Sequence, residues 1–413
     1  MKAEIISIGS ELTSGQNLDT NSQWLSRRLG EMGIAVGWHT TLADDLDDNI
    51  AAFRIAGGRS RLVLISGGLG PTQDDLTREA LAQMAGVELV SDPESFRQIE
   101  AMFARRNRAM PERNRVQAQF PLGSAPIRND HGTAPGVWLQ HAGCTFVAMP
   151  GVPAEMYAMF EEQVRPRLEK LGLSGGVLVQ RKINTFGWGE SAVEEKLFDI
   201  TRRGHVPEVG ITASDAVISL RIFGRGASLE LATLQIAPVE NIILDRLGNI
   251  VFGFGDEELR DVVVRLLAEK RQSLSVAEGV TGGLVAQQLC RVPGAGRWFR
   301  GAIVAYDNRI KLEMMAVSQA LIDEHGAVSA AVAEAMAVAC RTRFRTDLAV
   351  STVGIAGPDG GSADKPVGTV HVGLAWSGGV DSQSFSWGGT RAHIQSRTAK
   401  MALNRVRLLL VGA

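Results

Sequence analysis

Short apolar runs and longer amphipathic stretches alternate along most of this chain. Ile5-Ile6-Ser7-Ile8, Leu62-Val63-Leu64-Ile65 and Thr145-Phe146-Val147-Ala148 read as buried strands, being short, rich in β-branched residues and bounded by turn formers. Between them, Asn21–Met32 reads as a helix stopped by Gly33, and Asp75–Ala85 as one stopped by Gly86. Such alternation predicts an α/β segment over residues 1–171, with a parallel sheet covered by helices on both faces.

The Gly-rich stretch Leu173-Ser174-Gly175-Gly176 marks an expected boundary. A smaller α+β segment follows over residues 172–254. Its strands are expected near Val177–Ile183 and Ala216–Phe223, and its helices near Glu190–Asp199 and Leu229–Arg246. Residues 255–413 return to an α/β pattern. A helix near Glu257–Lys270 precedes strand Ser273–Ala277, a turn at Gly282-Gly283 and strand Ala302–Ala305. Ser329 is placed to cap an Ala-rich helix, strands Leu348–Val353 and Thr369–Ala375 follow, and a long helix runs from Thr390.

Composition narrows the class. The 413 residues suffice for about three domains at the usual domain size. With 45% hydrophobic and 21% charged residues the chain is globular rather than disordered. Lys and Arg total 43 against 45 Asp and Glu, a net charge of -2, so no global field favours nucleic acid or an anionic membrane. Three scattered cysteines, Cys144, Cys290 and Cys340, suit a reducing compartment and show no metal spacing. The opening residues lack the pattern of a signal peptide, and no run of about 18 apolar residues occurs. A cytoplasmic protein with no membrane partner is the expectation.

Candidate chemistry begins at Ser66-Gly67-Gly68-Leu69-Gly70-Pro71-Thr72, placed between a strand and a helix. Gly67, Gly68 and Gly70 let backbone N–H groups converge on an anion, and Thr72 can cap a helix whose dipole favours phosphate. Asp74 and Asp75 follow at once, and Glu11 lies after another strand end. Carboxylates beside a phosphate cradle are what a divalent cation (Mg, Mn or Co) needs to bridge protein and substrate oxygens. Acidic residues in a first helical turn are also favoured by the dipole alone. His131 reads as an ordinary loop histidine.

Several motifs, in order, resemble the CinA family. They include Gly9-Ser10-Glu11-Leu12, Asp19-Thr20-Asn21, Ser66–Thr72 with Asp74-Asp75, Pro111-Glu112, Gly132-Thr133-Ala134-Pro135-Gly136 and Pro150-Gly151-Val152-Pro153-Ala154-Glu155. The resemblance covers essentially the whole chain. For residues 1–171 it implies a molybdopterin-binding-like α/β domain and metal-dependent hydrolysis of ADP-ribose to AMP and ribose 5-phosphate. On that reading Asp74 and Asp75 are catalytic, Glu11, Asp74 and Asp75 hold the metal, and Gly67, Gly68, Gly70, Thr72, Gly132 and Thr133 bind phosphate. For residues 172–254 it implies a KH-like linker. Gly224-Arg225-Gly226 is not the GxxG loop that clamps RNA, so packing and homodimer organisation are the expected roles rather than nucleic-acid binding.

Over residues 255–413 the chain resembles the CinA C-terminal domain, in which the family deamidates nicotinamide mononucleotide. Glu278, Thr281, Gly282, Tyr306, Lys311, Gly357 and Lys365 match the family pocket. The chain departs from the pattern where a nucleophile belongs. Glu-Ser-Cys-Thr-Gly-Gly is here Glu278-Gly279-Val280-Thr281-Gly282-Gly283, and Pro-Gly-Ser-Ser is Pro293-Gly294-Ala295-Gly296. The expectation is a vestigial deamidase pocket, with Cys290 in the core and Ser329 serving as a cap. Two rivals stand beside the pyrophosphatase reading: a working deamidase with another nucleophile, and a non-catalytic nucleotide-binding scaffold.

Overall fold

The structure, a computed structural model, describes residues 2–105, 107–172 and 176–412; residues 173–175 of the expected boundary lie outside these. Packing divides the chain into two compact units, Met1–Val179 with Arg225–Thr233, and Gln180–Gly224 with Leu234–Ala413.

In the first unit the six-stranded sheet has the order Ala35–Leu42, Lys2–Ile8, Leu62–Ser66, Cys144–Met149, Gly136–His141, Ala125–Ile127. The first four strands are parallel, but the last two pair antiparallel, so the sheet is mixed where a parallel one was expected. The reason is local: Gly143, at φ 80°, turns the chain directly back between Gly136–His141 and Cys144–Met149, and no crossover helix intervenes. Leu62–Ser66 and Cys144–Met149 are buried at every position, which is why they read as unbroken apolar runs. Edge strand Ala35–Leu42 is exposed at Gly37, His39 and Thr41, is fully buried nowhere, and has no such run. Two cores flank the sheet, one around Phe53, Leu81 and Phe146 and the other around Leu25, Leu64 and Phe160.

The second unit holds two sheets. Its small sheet has the order Glu208–Ser214, Val217–Gly226, Val177–Phe186, Val251–Phe254. The larger one runs Phe299–Val304, Leu274–Glu278, Leu348–Gly354, Thr369–Trp376, Gly379–Ser386, parallel over the first three and antiparallel over the rest. Phe186 and Phe252 from the small sheet bury themselves in the same cluster as Leu259, Leu267 and Leu403. A shared core explains why three expected segments form two compact units. Among the described residues, no helix is long and apolar enough to cross a membrane.

Candidate functional site

Strands Lys2–Ile8, Leu62–Ser66 and Cys144–Met149 are parallel and in register, with Ser7 beside Ser66 and Ser66 beside Met149. Their C-terminal ends therefore share one edge, the usual place for a ligand in such sheets. The loops leaving that edge surround a cleft of about 420 Å³. Asn21 ties two of them together, donating to the Ser66 hydroxyl at 2.9 Å and the Gly151 carbonyl at 2.8 Å.

The glycines of the central loop are required by space as well as by backbone angle. Gly67 and Gly68 sit at φ 109° and 66°, and a Cβ would lie 2.3 Å from the Ile8 carbonyl oxygen or 2.2 Å from Thr77 Oγ1. The loop's carbonyls point inward. Thr77 donates its hydroxyl to Gly67 at 2.8 Å, and the buried Arg78 donates to Leu69 at 3.0 Å and Gly70 at 2.8 Å.

Asp75 takes up the other side of the loop. One carboxylate oxygen accepts the Gly70 N–H at 2.7 Å, and the other accepts the Thr72 N–H at 2.9 Å together with the Thr72 hydroxyl. These bonds hold residues 72–75 in a turn, and the helix begins only at Thr77, with no side-chain cap. The expectation that Thr72 caps the helix and that the helix starts at Asp75 is corrected accordingly. Of the expected phosphate-binding residues, Gly67 spends its N–H on the Met149 carbonyl, Gly70 and Thr72 on Asp75, and Gly132 on the Asn129 side chain. Gly68 and the unexpected Leu69 keep N–H groups with no acceptor among the described residues. Thr133 lines the cleft. His131 is exposed, 3.9 Å from Glu162, and does not line it.

Five carboxylates line the cleft, from Glu11, Asp44, Asp74, Asp75 and Glu155, and among the described residues no Lys, Arg or His does. Asp44 is engaged by the Ser10 N–H and hydroxyl, both at 2.8 Å, and Glu155 by Asn129 at 2.8 Å. The side-chain carboxylates of Glu11 and Asp74 have no hydrogen-bond or ionic partner among the described residues. The expected set Glu11, Asp74, Asp75 does not form a closed cage: no group of three or more His, Cys, Asp or Glu among the described residues could hold a metal ion. Asp75 accepts the Gly70 N–H and the Thr72 N–H and hydroxyl instead. Two free carboxylates lining the same cleft as residues with unspent N–H groups do fit a hydrated cation that arrives on substrate phosphates, the manner typical of magnesium. Asp44 was missed in sequence, and Glu155 was seen in a motif but given no role, because single acidic residues in a loop and a first helical turn carry no distinctive spacing.

A second cleft, of about 240 Å³, lies within the other unit, lined in part by Tyr306, Lys311, Gly357, Asp359 and Arg391. Arg391 donates to the Gly357 carbonyl at 2.8 Å and to the Tyr306 hydroxyl. Lys311 donates to Asn308 at 2.8 Å, and burial pushes its ammonium below the usual lysine range, Asp307 opposing. Four residues expected in this pocket do not line it. Glu278 is fully buried and accepts the N–H groups of Gly283, Val285 and Ala286 at the start of helix Leu284–Cys290. Thr281 bonds the Thr352 hydroxyl at 2.7 Å, Gly282 supplies a turn at φ 60°, and Lys365 donates to the His325 and Val328 carbonyls. Cys290, expected in the core, is exposed, because Val285 and Leu289 fill the buried face of its helix. Ser329 does cap, accepting the Val332 N–H at 3.3 Å. No Ser, Thr or Cys is among the described residues lining this cleft.

Comparison with known proteins follows the same segments. The family described as "Probable molybdopterin binding domain" matches residues 4–170, "Damage-inducible protein CinA KH domain" matches 180–253, and "CinA C-terminal domain" matches 256–410. A "CinA-like protein" of Dictyoglomus thermophilum is 41% identical over 407 residues, 98% of each chain. A "CinA-like protein" of Kosmotoga olearia is 40% identical over 411 residues, covering 100% of this chain and 99% of its own. The solved structure of "the protein CinA with unknown function" from Thermoplasma acidophilum is 34% identical, with a TM-score of 0.37, over 41% of this chain and 96% of that one.

Proposed function

The chain belongs to the CinA family, and on that footing we propose that its first unit hydrolyses the pyrophosphate of ADP-ribose, giving AMP and ribose 5-phosphate with a divalent cation. The observation that carries this reading is the cleft lining: five carboxylates, no cationic side chain, and a glycine loop with unspent N–H groups. A bare pyrophosphate would be repelled by such a surface, whereas its cation complex would be drawn to it. Glu11 and Asp74 would hold the cation, which when bound supplies charge neutralisation at the phosphates.

The chain's own residues do the rest. Gly68 and Leu69 N–H groups receive phosphate oxygens, and the loop keeps them in place. An oxygen of Glu11 or Asp74 that does not hold the cation accepts a proton from water as the water oxygen bonds to one phosphorus. The bond from that phosphorus to the bridging oxygen breaks, and the bridging oxygen departs with the second phosphate and carries the electron pair.

We read the second cleft as a nucleotide-binding pocket without amide hydrolysis. Lys311, Tyr306 and Arg391 suit a phosphorylated ligand, while no hydroxyl or thiol nucleophile of Ser, Thr or Cys is among the described lining residues. One chromatographic assay tests both readings. The protein is incubated with ADP-ribose and with nicotinamide mononucleotide, with Mg, Mn or Co ions or none. Cation-dependent AMP, sharply reduced in Asp74→Asn, is the expected result, with the mononucleotide unchanged. Release of ammonia and nicotinic acid mononucleotide would overturn the second reading, and no turnover of ADP-ribose under any cation would overturn the first.

A further inference from the structure

A site that receives phosphate oxygens ordinarily presents Arg or Lys to them. Here the cation lies beneath the loop instead. Arg78 is only 4% exposed and donates from its two terminal nitrogens to the Leu69 and Gly70 carbonyls. Asp75, three residues earlier, holds the N–H groups of Gly70 and Thr72 from the opposite side. Gly70 is thus gripped on its N–H by one residue and on its C=O by the other. Its lack of a side chain is what permits this, since a Cβ there would lie 2.4 Å from an Asp75 oxygen.

We infer that Asp75 and Arg78 form a two-sided clamp that fixes the Gly68 and Leu69 N–H groups for a substrate phosphate, and that Arg78 supplies through the loop the positive potential the cleft lining lacks. Both are positioning residues, and Asp75 is not a cation ligand. The identity of the phosphate compound rests on the reading above, while the clamp itself does not.

Packing alone does not call for a guanidinium at position 78. Burying a charge against neutral carbonyls is costly, and an apolar side chain would serve a helix start at less expense. Burial pushes the Arg78 guanidinium down to about 10, with Asp75 opposing, so it stays charged at neutral pH. A charge buried as deeply as Arg78 is also screened less than one at the surface, so it acts at a distance. Three loop donors already occupy the Asp75 oxygens, so holding the loop is the role that its bonds show.

The test uses the full chain with Arg78→Gln, Arg78→Lys, Asp75→Asn and, for contrast, Asp74→Asn. Three quantities are read: amide hydrogen exchange over residues 67–73, kcat and KM for ADP-ribose at saturating cation, and the cation concentration giving half-maximal rate. Arg78→Gln is expected to raise KM by about tenfold or more with a much smaller change in kcat, the half-activating cation concentration staying put. Arg78→Lys, which keeps the charge, should recover part of that loss and guards against a folding defect in the first variant. Asp75→Asn should speed exchange at Gly70 and Thr72 by about tenfold without moving the cation requirement, whereas Asp74→Asn should do the reverse. A shifted cation requirement in Asp75→Asn with unchanged exchange would make Asp75 a ligand and overturn the clamp. Unchanged KM and exchange in Arg78→Gln would overturn the role of Arg78. If the parent chain turns over no ADP-ribose, the hydrolase reading fails on its own and the exchange measurements still decide the clamp.

Discussion

Lys400 binds Asp215 twice, its ammonium donating to the carboxylate and to the backbone carbonyl, each at 2.6 Å. The Ser396 hydroxyl joins the same carboxylate at 2.9 Å. Burial pushes the Asp215 carboxyl up, but Lys400 and Ser396 together more than reverse this and hold it below the usual range. The hairpin tip between Glu208–Ser214 and Val217–Gly226 is thereby fastened to helix Arg391–Val411, whose first residue reaches into the second cleft.

Replacing Asp215 by Ala removes the bonds to the carboxylate and leaves the one to the backbone carbonyl. The carboxylate is half exposed, so solvent screening limits the loss to about 1 kcal/mol. Denaturant midpoints of the full chain would show it, and a further drop in ligand affinity at the Arg391 cleft would show that the fastening reaches that pocket.

The same tip holds Ala216 at φ 64°, a left-handed conformation that an L side chain adopts at a cost. Ala216→Gly removes that cost but gives the unfolded chain more freedom, leaving a net gain of about 0.5–1 kcal/mol. Thermal unfolding should move upward, and a fall would show that the Ala216 methyl group packs more usefully than its backbone strains.

Glu278 offers a sharper case. Three N–H groups converge on a carboxylate with 0% exposure, so Glu278→Ala should destabilise by about 3 kcal/mol through unsatisfied buried donors. The loss should appear with or without any ligand in the second cleft, since Glu278 does not line it. A variant of parental stability that had lost only ligand binding would restore it to the pocket.

Asp347 gives a pH dependence with a definite sign. The Ser273 hydroxyl and N–H, both at 2.7 Å, hold its carboxyl below the ordinary 3.8. A depressed folded value means stability that is fully present above 3.8 and is lost as pH falls through the folded value. Stability of parent and Asp347→Asn should therefore differ most near neutrality and converge in acid. A gap that widened on acidification would contradict the assignment.

Much of this architecture was legible in the sequence, for reasons that also mark where legibility stops. Leu62–Ser66 announces itself because a strand buried on both faces must be apolar throughout. Ala35–Leu42 does not, since an edge strand with every position at least partly exposed tolerates the polar run His39-Thr40-Thr41. The glycine loop was visible as a loop, yet which of its N–H groups remain open depends on Asp75, whose preference for local donors over a helical turn only coordinates reveal. Glu278 carries the same signature whether it faces a pocket or caps a helix, because an acidic residue before a glycine turn suits both. The sequence assigns Arg391 no role; its bond to the Tyr306 hydroxyl, 85 residues away along the chain, emerges only with the fold.

A loop gripped on both its faces has little conformational freedom left to lose. The entropy of ordering Gly67, Gly68 and Gly70, the most flexible residue type in an unfolded chain, is surrendered when the unit folds rather than when a ligand arrives. A phosphate compound meeting this loop should then bind with little heat-capacity change from loop ordering, and its association should proceed without a slow conformational step.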